Sequence, residues 1–129
     1  MSYLVDTYAL MEWFVQDNQN YKKYFQEIEE TLGYTTQFVL LEFYYWSYHE
    51  FGEKEADERY GEVNARLQLV PIDDELIKAA GKFRSDMLRK KKKFSYADSI
   101  GYTAAKRAKS KFLTGDEEFR GMEGVEFVK

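Results

Sequence analysis

The residues most able to do chemistry in this chain are four acids spread along its length. Each follows or interrupts an apolar segment, at places that an α/β fold would bring together. They are Asp6, Glu42, Asp98 and Asp116. Neighbouring carboxylates repel one another unless a cation neutralises them, and all-oxygen ligands favour Mg²⁺ or Mn²⁺. The set therefore predicts a site for one or two metal ions that could activate water to hydrolyse a phosphodiester.

Three of these acids also have an ordinary structural interpretation. Ser95 and Asp98 have the spacing of a capping box, in which a serine and an acid satisfy the backbone N–H groups at a helix start. Asp6 and Asp116 each come after a short apolar run, and each could be a helix N-cap. The capping box is the simpler explanation of Asp98 alone, but the placement of the other acids favours a shared site.

Glu42 lies in the apolar helical segment Gln37–Phe51, with apolar residues on both sides. Burial of an ionised carboxylate without a partner is costly. No arginine or lysine occurs between Lys23 and Lys54, so we expect the partner to be remote in sequence or a metal ion. The only histidine, His49, is expected at the surface or in an interface, and one imidazole cannot build a transition-metal site.

Alternating strands and helices are predicted around these acids, which indicates a three-layer α/β/α fold with a central parallel sheet of four or five strands. Asp6 and Asp116 would then lie at the carboxyl edge of the sheet, where open α/β sheets bind ligands. The predicted strands cover residues 3–6, 34–36, 68–71, 111–114 and 125–128. The predicted helices cover about residues 8–15, 18–30, 37–51, 53–67, 73–90 and 94–105.

Length and composition set further limits. We expect the 129 residues to form one domain, residues 1–129, around one core. The chain has no cysteine, which excludes disulfides, zinc–thiolate sites and thiol catalysis and makes the cytoplasm the expected compartment. Its first fifteen residues carry Asp6 and Glu12 and lack a basic start, so we expect neither a signal peptide nor a membrane anchor.

Charge is distributed unevenly along the chain. Residues 1–64 contain 4 basic and 13 acidic side chains, whereas residues 65–129 contain 15 basic and 10 acidic ones. This asymmetry indicates a basic face suited to phosphates and an acidic face suited to a cationic protein. One basic run, directly before the Asp98 segment, consists of Arg89, Lys90, Lys91, Lys92 and Lys93. We expect it to contact a nucleic-acid backbone, and a solvated loop is the alternative.

The segment Gln37–Phe51 carries more aromatic side chains than one core-facing stripe can use. The surplus comprises Tyr44, Tyr45, Trp46, Tyr48 and Phe51. Because tyrosine and tryptophan are enriched at interface centres, we expect a two-fold homodimer that uses part of this helix. Trp13 and Phe14 are candidates for a groove that binds a smaller partner protein. A wide core contact inside the monomer is the alternative.

The four acids occur within four short motifs, in order VDTYAL with Asp6, LLEFYY with Glu42, SYADSIGYTAA with Asp98 and FLTGDEEF with Asp116. This ordered set resembles the PIN domain, a compact nuclease fold, and especially the small stand-alone toxins of the VapC type. No motif is specific alone, but together they span essentially the whole chain.

The resemblance implies an endoribonuclease that depends on Mg²⁺ or Mn²⁺, with the four acids as its catalytic and metal-binding residues. The supporting residues that it implies are Thr7, Thr114 and Glu118. RNA is then the substrate, contacted by the basic run, and its products carry 5′-phosphates. VapC-like toxins usually act as homodimers and are silenced by a small antitoxin, whose cationic tail can reach the acidic site.

Other functions are compatible with a small α/β domain of this kind. A receiver-type signalling domain needs paired acids after its first strand, whereas Asp6 is followed by Thr7. It also needs a phosphate-accepting aspartate after a middle strand, but the third predicted strand ends at Pro71. A PIN-like RNA-binding module without catalysis is disfavoured because all four acids are present. RNA processing by the same chemistry stays open.

Overall fold

The computed structural model describes residues 1–129. It contains five strands, which are β1 (Tyr3–Val5), β2 (Gly33–Thr35), β3 (Gln68–Leu69), β4 (Lys111–Thr114) and β5 (Val125–Phe127). They form one parallel sheet in the order β3-β2-β1-β4-β5. The first strand of the chain is therefore the centre of the sheet, with Tyr3 beside Gly33 on one side and beside Lys111 on the other.

Six α-helices connect and cover the strands. They are α1 (Thr7–Phe14), α2 (Lys22–Glu30), α3 (Gln37–Phe51), α4 (Glu53–Arg66), α5 (Asp74–Arg89) and α6 (Tyr96–Arg107). Two short 3₁₀ turns, Gln19–Tyr21 and Glu117–Phe119, complete the elements. None of the helices combines the length and the apolar character that crossing a membrane requires.

Side chains of the central strands alternate between the two faces of the sheet. Tyr3, Val5 and Leu113 belong to a core cluster of 16 buried residues, to which α1–α4 contribute. Leu4 and Phe112 belong to a second cluster of 11 buried residues, built with α5 and α6. Helices thus cover both faces, and the predicted three-layer α/β/α fold is confirmed with five strands.

Three local boundaries differ from the prediction. β2 begins at Gly33, one residue before the predicted strand, and glycine is required there because a Cβ atom would lie 2.5 Å from Ile28 Cγ2 and 2.8 Å from Leu67 Cδ2. Asn18 caps a short 3₁₀ turn through a 3.0 Å bond from Asn20 N, and α2 begins only afterwards. The strand predicted over residues 68–71 is shorter, although Val70 N still donates to Thr35 O at 3.0 Å.

The aromatic residues of α1 and α3 separate into core and surface sets. Trp13 stacks on Phe25 at 5.4 Å, and Phe14 is buried against the same ring at 5.5 Å. Phe14 is therefore a core residue that is not available to a partner protein. On α3, the exposed large side chains are Phe38, Leu41, Tyr45, Trp46, Tyr48 and Phe51. This helix buries one side and leaves a broad apolar strip at the surface.

Candidate active site

The carboxyl ends of β1 and β4 lie side by side at the centre of the sheet. From β1 the chain continues outward to β2 and β3 on one side, and from β4 it continues to β5 on the other. Open α/β sheets bind ligands at such a switch point. Asp6 directly follows β1, and Asp116 follows β4 by two residues. The sheet thus brings these two acids to one place, as the sequence predicts.

Asp6 is 3% exposed, and the protein holds both of its carboxylate oxygens. Oδ1 accepts a hydrogen bond from Ala9 N at 3.0 Å, which makes Asp6 the N-cap of α1. Oδ2 accepts from Thr114 Oγ1 at 2.6 Å. The N-cap interpretation is therefore correct, and it also fixes the carboxylate at the positive end of a helix dipole.

Thr114 couples the two strand ends. Its fully buried hydroxyl donates to Asp6 Oδ2 and accepts from Asp116 N at 3.0 Å. Asp116 Oδ1 then accepts from Glu118 N at 3.0 Å and caps a 3₁₀ turn, which leaves Oδ2 for a ligand. Gly115 permits this tight path, because a Cβ atom there would collide with the Tyr8 ring and the Val128 carbonyl.

Asp98 forms the predicted capping box at the start of α6. Its N–H donates to Ser95 Oγ at 3.0 Å, and Ser95 N donates to Asp98 Oδ2 at 3.1 Å. The box uses one carboxylate oxygen, so Oδ1 is left for a ligand. Asp98 also lines the same cavity as Asp6. The capping-box interpretation is therefore correct, and the cap holds Asp98 at the cavity that the other three acids also line, while its role as a metal ligand stays a prediction.

Glu42 is half-buried on α3, and it lines the cavity with Asp6 and Asp98. It takes part in none of the salt bridges of the protein. Of the two partners that the sequence left open, a basic residue remote in sequence is therefore not found, and a metal ion stays a prediction. The charge of Glu42 acts on Asp98, whose pKa it helps to raise.

An open cavity of about 440 Å³ joins the four acids. Glu12 of α1 adds a fifth carboxylate to its wall. No lysine or arginine lines it, so nothing in the wall neutralises these acids. The lining residues are Asp6, Thr7, Tyr8, Met11, Glu12, Gln16, Glu42, Trp46, Ser95, Asp98 and Asp116.

The proton affinities of two acids reflect this crowding. Burial raises the pKa of Asp6 to about 8; its two hydrogen bonds oppose the rise, and the charges of Asp98 and Asp116 add to it. Burial also raises the pKa of Asp98 to about 6, with the charge of Glu42 adding to the effect against the capping bonds. A bound cation would favour the ionised forms and reverse both shifts.

The donor set fits Mg²⁺ or Mn²⁺ with water completing the coordination. No three acidic side chains are arranged so that they could hold one ion among themselves. Mg²⁺ usually binds through one or two carboxylates and keeps several waters, so a three-carboxylate cluster is not required. Glu42, Asp98 Oδ1 and Asp116 Oδ2 have no protein donor and are the oxygens available for such contacts.

The two other predicted supporting residues lie in different places. Thr7 Oγ1 is buried at the cavity wall and has no hydrogen-bond partner, so it is available to a ligand or a water there. Glu118 is exposed and does not line the cavity. Only its backbone contributes, since its N–H donates to Asp116 and its carbonyl accepts from Lys92.

The predicted basic run connects α5 to α6 beside the Asp116 turn. Lys92 Nζ donates to Glu118 O at 3.0 Å, two residues from Asp116. The Arg89 side chain is 80% exposed, and Lys90, Lys91 and Lys93 are exposed as well. Positive charge therefore flanks the acidic cavity on one side without entering its wall.

Apart from Ser95 of the capping box, five lining residues were not predicted as site residues, namely Tyr8, Met11, Glu12, Gln16 and Trp46. Glu12 and Gln16 follow Tyr8 at intervals of four residues, and Trp46 follows Glu42 by four. Residues four apart share one face of a helix, so this spacing could have found Glu12 and Trp46 once the helices were placed. Gln16 lies beyond the end of α1, where helical spacing gives no reliable signal.

A family model described as the PIN domain matches residues 3–125. No significant match was found among curated protein sequences. The fold is similar to that of VapBC2 from Rickettsia felis bound to a promoter DNA fragment, with a TM-score of 0.81 and 13% identity over 99% of this chain and 98% of that one.

It is also similar to DNA-bound VapBC from Salmonella typhimurium, with a TM-score of 0.81 and 15% identity over 99% of this chain and 97% of that one. For VapC20 from Mycobacterium tuberculosis, a sarcin-ricin loop cleaving toxin, the TM-score is 0.78 with 14% identity over 98% of this chain and 99% of that one. These likenesses establish a shared fold. Since the family model spans nearly the whole sequence, the chain belongs to the PIN domain family.

Proposed function

We propose that the protein is an endoribonuclease that depends on Mg²⁺ or Mn²⁺. The observation that carries the proposal is the cavity at the sheet switch point, where Asp6, Glu42, Asp98 and Asp116 meet and no basic side chain neutralises them. Such a cluster favours cation binding, and the adjacent basic run suits a polyanionic substrate. The family assignment supports nuclease chemistry for these residues.

The four acids would surround the metal, with one or two carboxylates binding it directly and the others contacting it through coordinated waters. When bound, Mg²⁺ or Mn²⁺ supplies Lewis-acid polarisation of the phosphodiester and lowers the pKa of a coordinated water. Thr114 keeps Asp6 oriented, and the capping box keeps Asp98 oriented. Water attacks phosphorus in line, the bond to the 3′ oxygen breaks, and that oxygen takes a proton. The product therefore carries a 5′-phosphate.

We further propose that the protein is the toxin of a VapBC-type toxin–antitoxin pair that acts in the cytoplasm. Structures of VapBC complexes from Rickettsia felis and Salmonella typhimurium share its fold over almost its entire length. The five carboxylates of the cavity are complementary to a cationic tail of a small antitoxin. Co-expression with the partner gene should suppress any growth arrest that the protein alone causes.

A homodimer through α3 is part of the same proposal. Tyr44, Tyr45, Tyr48, Leu41 and His49 line an apolar surface hollow of about 540 Å³ that shares no residue with the acidic cavity. Tyrosine-rich apolar surfaces of this kind favour interfaces. Tyr48→Asp should give a folded monomer in analytical ultracentrifugation if the wild type is a dimer. A wild type that stays monomeric at every concentration would contradict the dimer.

The nuclease proposal is tested by incubating the purified protein with defined RNAs in Mg²⁺, Mn²⁺ or EDTA and mapping the cut ends. We expect internal cuts with 5′-phosphate ends in either metal and none in EDTA. Asp98→Asn is the matched variant, because asparagine keeps the size of the side chain and removes its charge. Cleavage that continues in EDTA, or products with 2′,3′-cyclic phosphates, would overturn the proposal.

A further inference from the structure

A second surface cavity, of about 570 Å³, adjoins the acidic one and shares Glu42, Trp46 and Ser95 with it. Its remaining lining residues are Phe38, Leu41, Tyr45, Tyr96 and Ala97, of which Leu41 and Tyr45 also line the hollow proposed for the homodimer whereas Tyr96 does not. We call this cavity the aromatic cleft. It lies between residues 38–46 of α3 and the start of α6. An RNA whose phosphate reaches the acids can therefore place a neighbouring group against this apolar wall.

The rings of the cleft are not used by the core. Tyr96 is 70% exposed, Tyr45 is 58% exposed and Trp46 is 44% exposed. Exposed apolar surface beside a polar site is typical of a binding surface. Tyr45 and Trp46 support each other in an edge-to-face contact at 5.2 Å, so their positions are partly fixed before a ligand binds.

Tyr96 is held in place beside the acids. It is the first residue of α6, two residues before Asp98, and the capping box fixes this helix start. The Arg84 guanidinium lies 4.5 Å from the Tyr96 ring centre, and Arg84 Nε donates to Phe94 O at 2.9 Å. One face of the Tyr96 ring thus carries a guanidinium, while the side chain as a whole stays 70% exposed.

We infer that the aromatic cleft binds an unpaired base of the RNA substrate, stacked on Tyr96, next to the phosphodiester that is cut. The inference rests on the proposed nuclease function and names the residues that hold the base next to the acids. In RNA, one sugar separates each base from the phosphate that joins its nucleotide to the next. A phosphate in the acidic cavity and its neighbouring base in the aromatic cleft would therefore fit two cavities that share a wall. Aromatic rings and arginine bind unstacked bases in this way, whereas bases inside a duplex are already stacked.

Binding without cleavage tests the inference. A short single-stranded RNA containing 2-aminopurine is titrated with the protein in EDTA, and stacking is followed as quenching of the base fluorescence. We expect Tyr96→Ala to weaken binding by about 5- to 100-fold and to abolish quenching, because one stacked base is lost. Tyr96→Phe keeps the ring and should bind like the wild type. A fully duplex RNA should bind the wild type and Tyr96→Ala equally.

Ile77→Ala is the matched control, since Ile77 is an exposed apolar residue of α5 that lines neither the cleft nor the proposed dimer surface. It should leave single-strand affinity and quenching unchanged. Equal affinity and quenching for the wild type and Tyr96→Ala would overturn the inference. If Tyr96→Ala instead lowers the molecular mass in solution while RNA binding is unchanged, the cleft is a contact between two copies of the chain, and the inference is wrong.

The assay separates this inference from the nuclease proposal. RNA binding that depends on Tyr96, in a protein that cuts no RNA with either metal, would support base binding in the aromatic cleft and overturn only the nuclease proposal. Metal-dependent RNA cleavage without any effect of Tyr96→Ala on RNA binding would support the nuclease proposal and overturn only base binding in the aromatic cleft.

Discussion

The Thr114 hydroxyl donates a 2.6 Å hydrogen bond to Asp6 Oδ2, and through this contact the ends of β1 and β4 are joined at the centre of the candidate site. The same hydroxyl accepts from Asp116 N. A neutral side chain thereby fixes two acids of a crowded cluster without adding charge.

Replacement of Thr114 by valine tests this coupling. Valine has nearly the same shape but leaves Asp6 without its donor and Asp116 N without its acceptor. We expect the free energy of unfolding to fall by roughly 1–3 kcal/mol, the cost of leaving a buried hydrogen-bonding group unsatisfied, together with weaker metal-dependent activity. Thr114→Ser keeps the hydroxyl. It should therefore retain most of the stability in urea denaturation and most of the metal-dependent activity in cleavage assays. A valine variant as active as the wild type would show that Thr114 is only a core residue.

The metal-free protein should lose stability as the pH rises from about 4 to 8. The pKa of Asp6 is raised from 3.8 to about 8 in the fold, so the folded state holds this proton more tightly than the unfolded chain does. Its contribution is complete below pH 4 and is lost as the pH rises through 8. Asp98, with a pKa of about 6, loses its contribution earlier in the same window.

Urea denaturation in EDTA at pH 5 and pH 8 measures this dependence. Asp6→Asn should flatten the decline, because asparagine carries no proton to lose. Saturating Mg²⁺ should also flatten it in the wild type. The same pH dependence in the wild type and in Asp6→Asn would mean that groups other than Asp6 determine how stability changes with pH.

The basic run should contribute to RNA affinity without selecting a sequence. Lys90→Gln with Lys93→Gln removes two exposed charges and spares Lys92, which is bonded to Glu118 O. If both contact phosphates, the salt dependence of single-strand binding should flatten by a slope of about 1.4. The control pair, Lys54→Gln with Lys78→Gln, removes equal charge from exposed positions on α4 and α5. Equal salt-dependence slopes for both pairs would mean that the basic run is a solvated loop that does not contact RNA.

The sequence predicted the strand–helix order and the convergence of four acids, because both follow from local apolar runs and from the topology of a parallel sheet. Contacts between distant segments were harder to foresee. Thr114 and Asp6 are 108 residues apart, and only the β1–β4 register makes them neighbours. The degree of burial of Glu42 was missed for the same reason, since apolar sequence neighbours do not reveal that one edge of α3 borders an open cavity.

Calorimetric titration of the purified protein with Mn²⁺ tests most directly whether the acidic cavity is a metal site. We expect saturable binding to the wild type that is lost or greatly weakened in both Asp6→Asn and Asp98→Asn. Tyr48→Ala should bind Mn²⁺ like the wild type. At a hundred times its Kd the metal should add about 2.7 kcal/mol to the stability of the wild type and far less to the two variants. Wild-type Mn²⁺ affinity in both aspartate variants would contradict the claim that these carboxylates form the metal site.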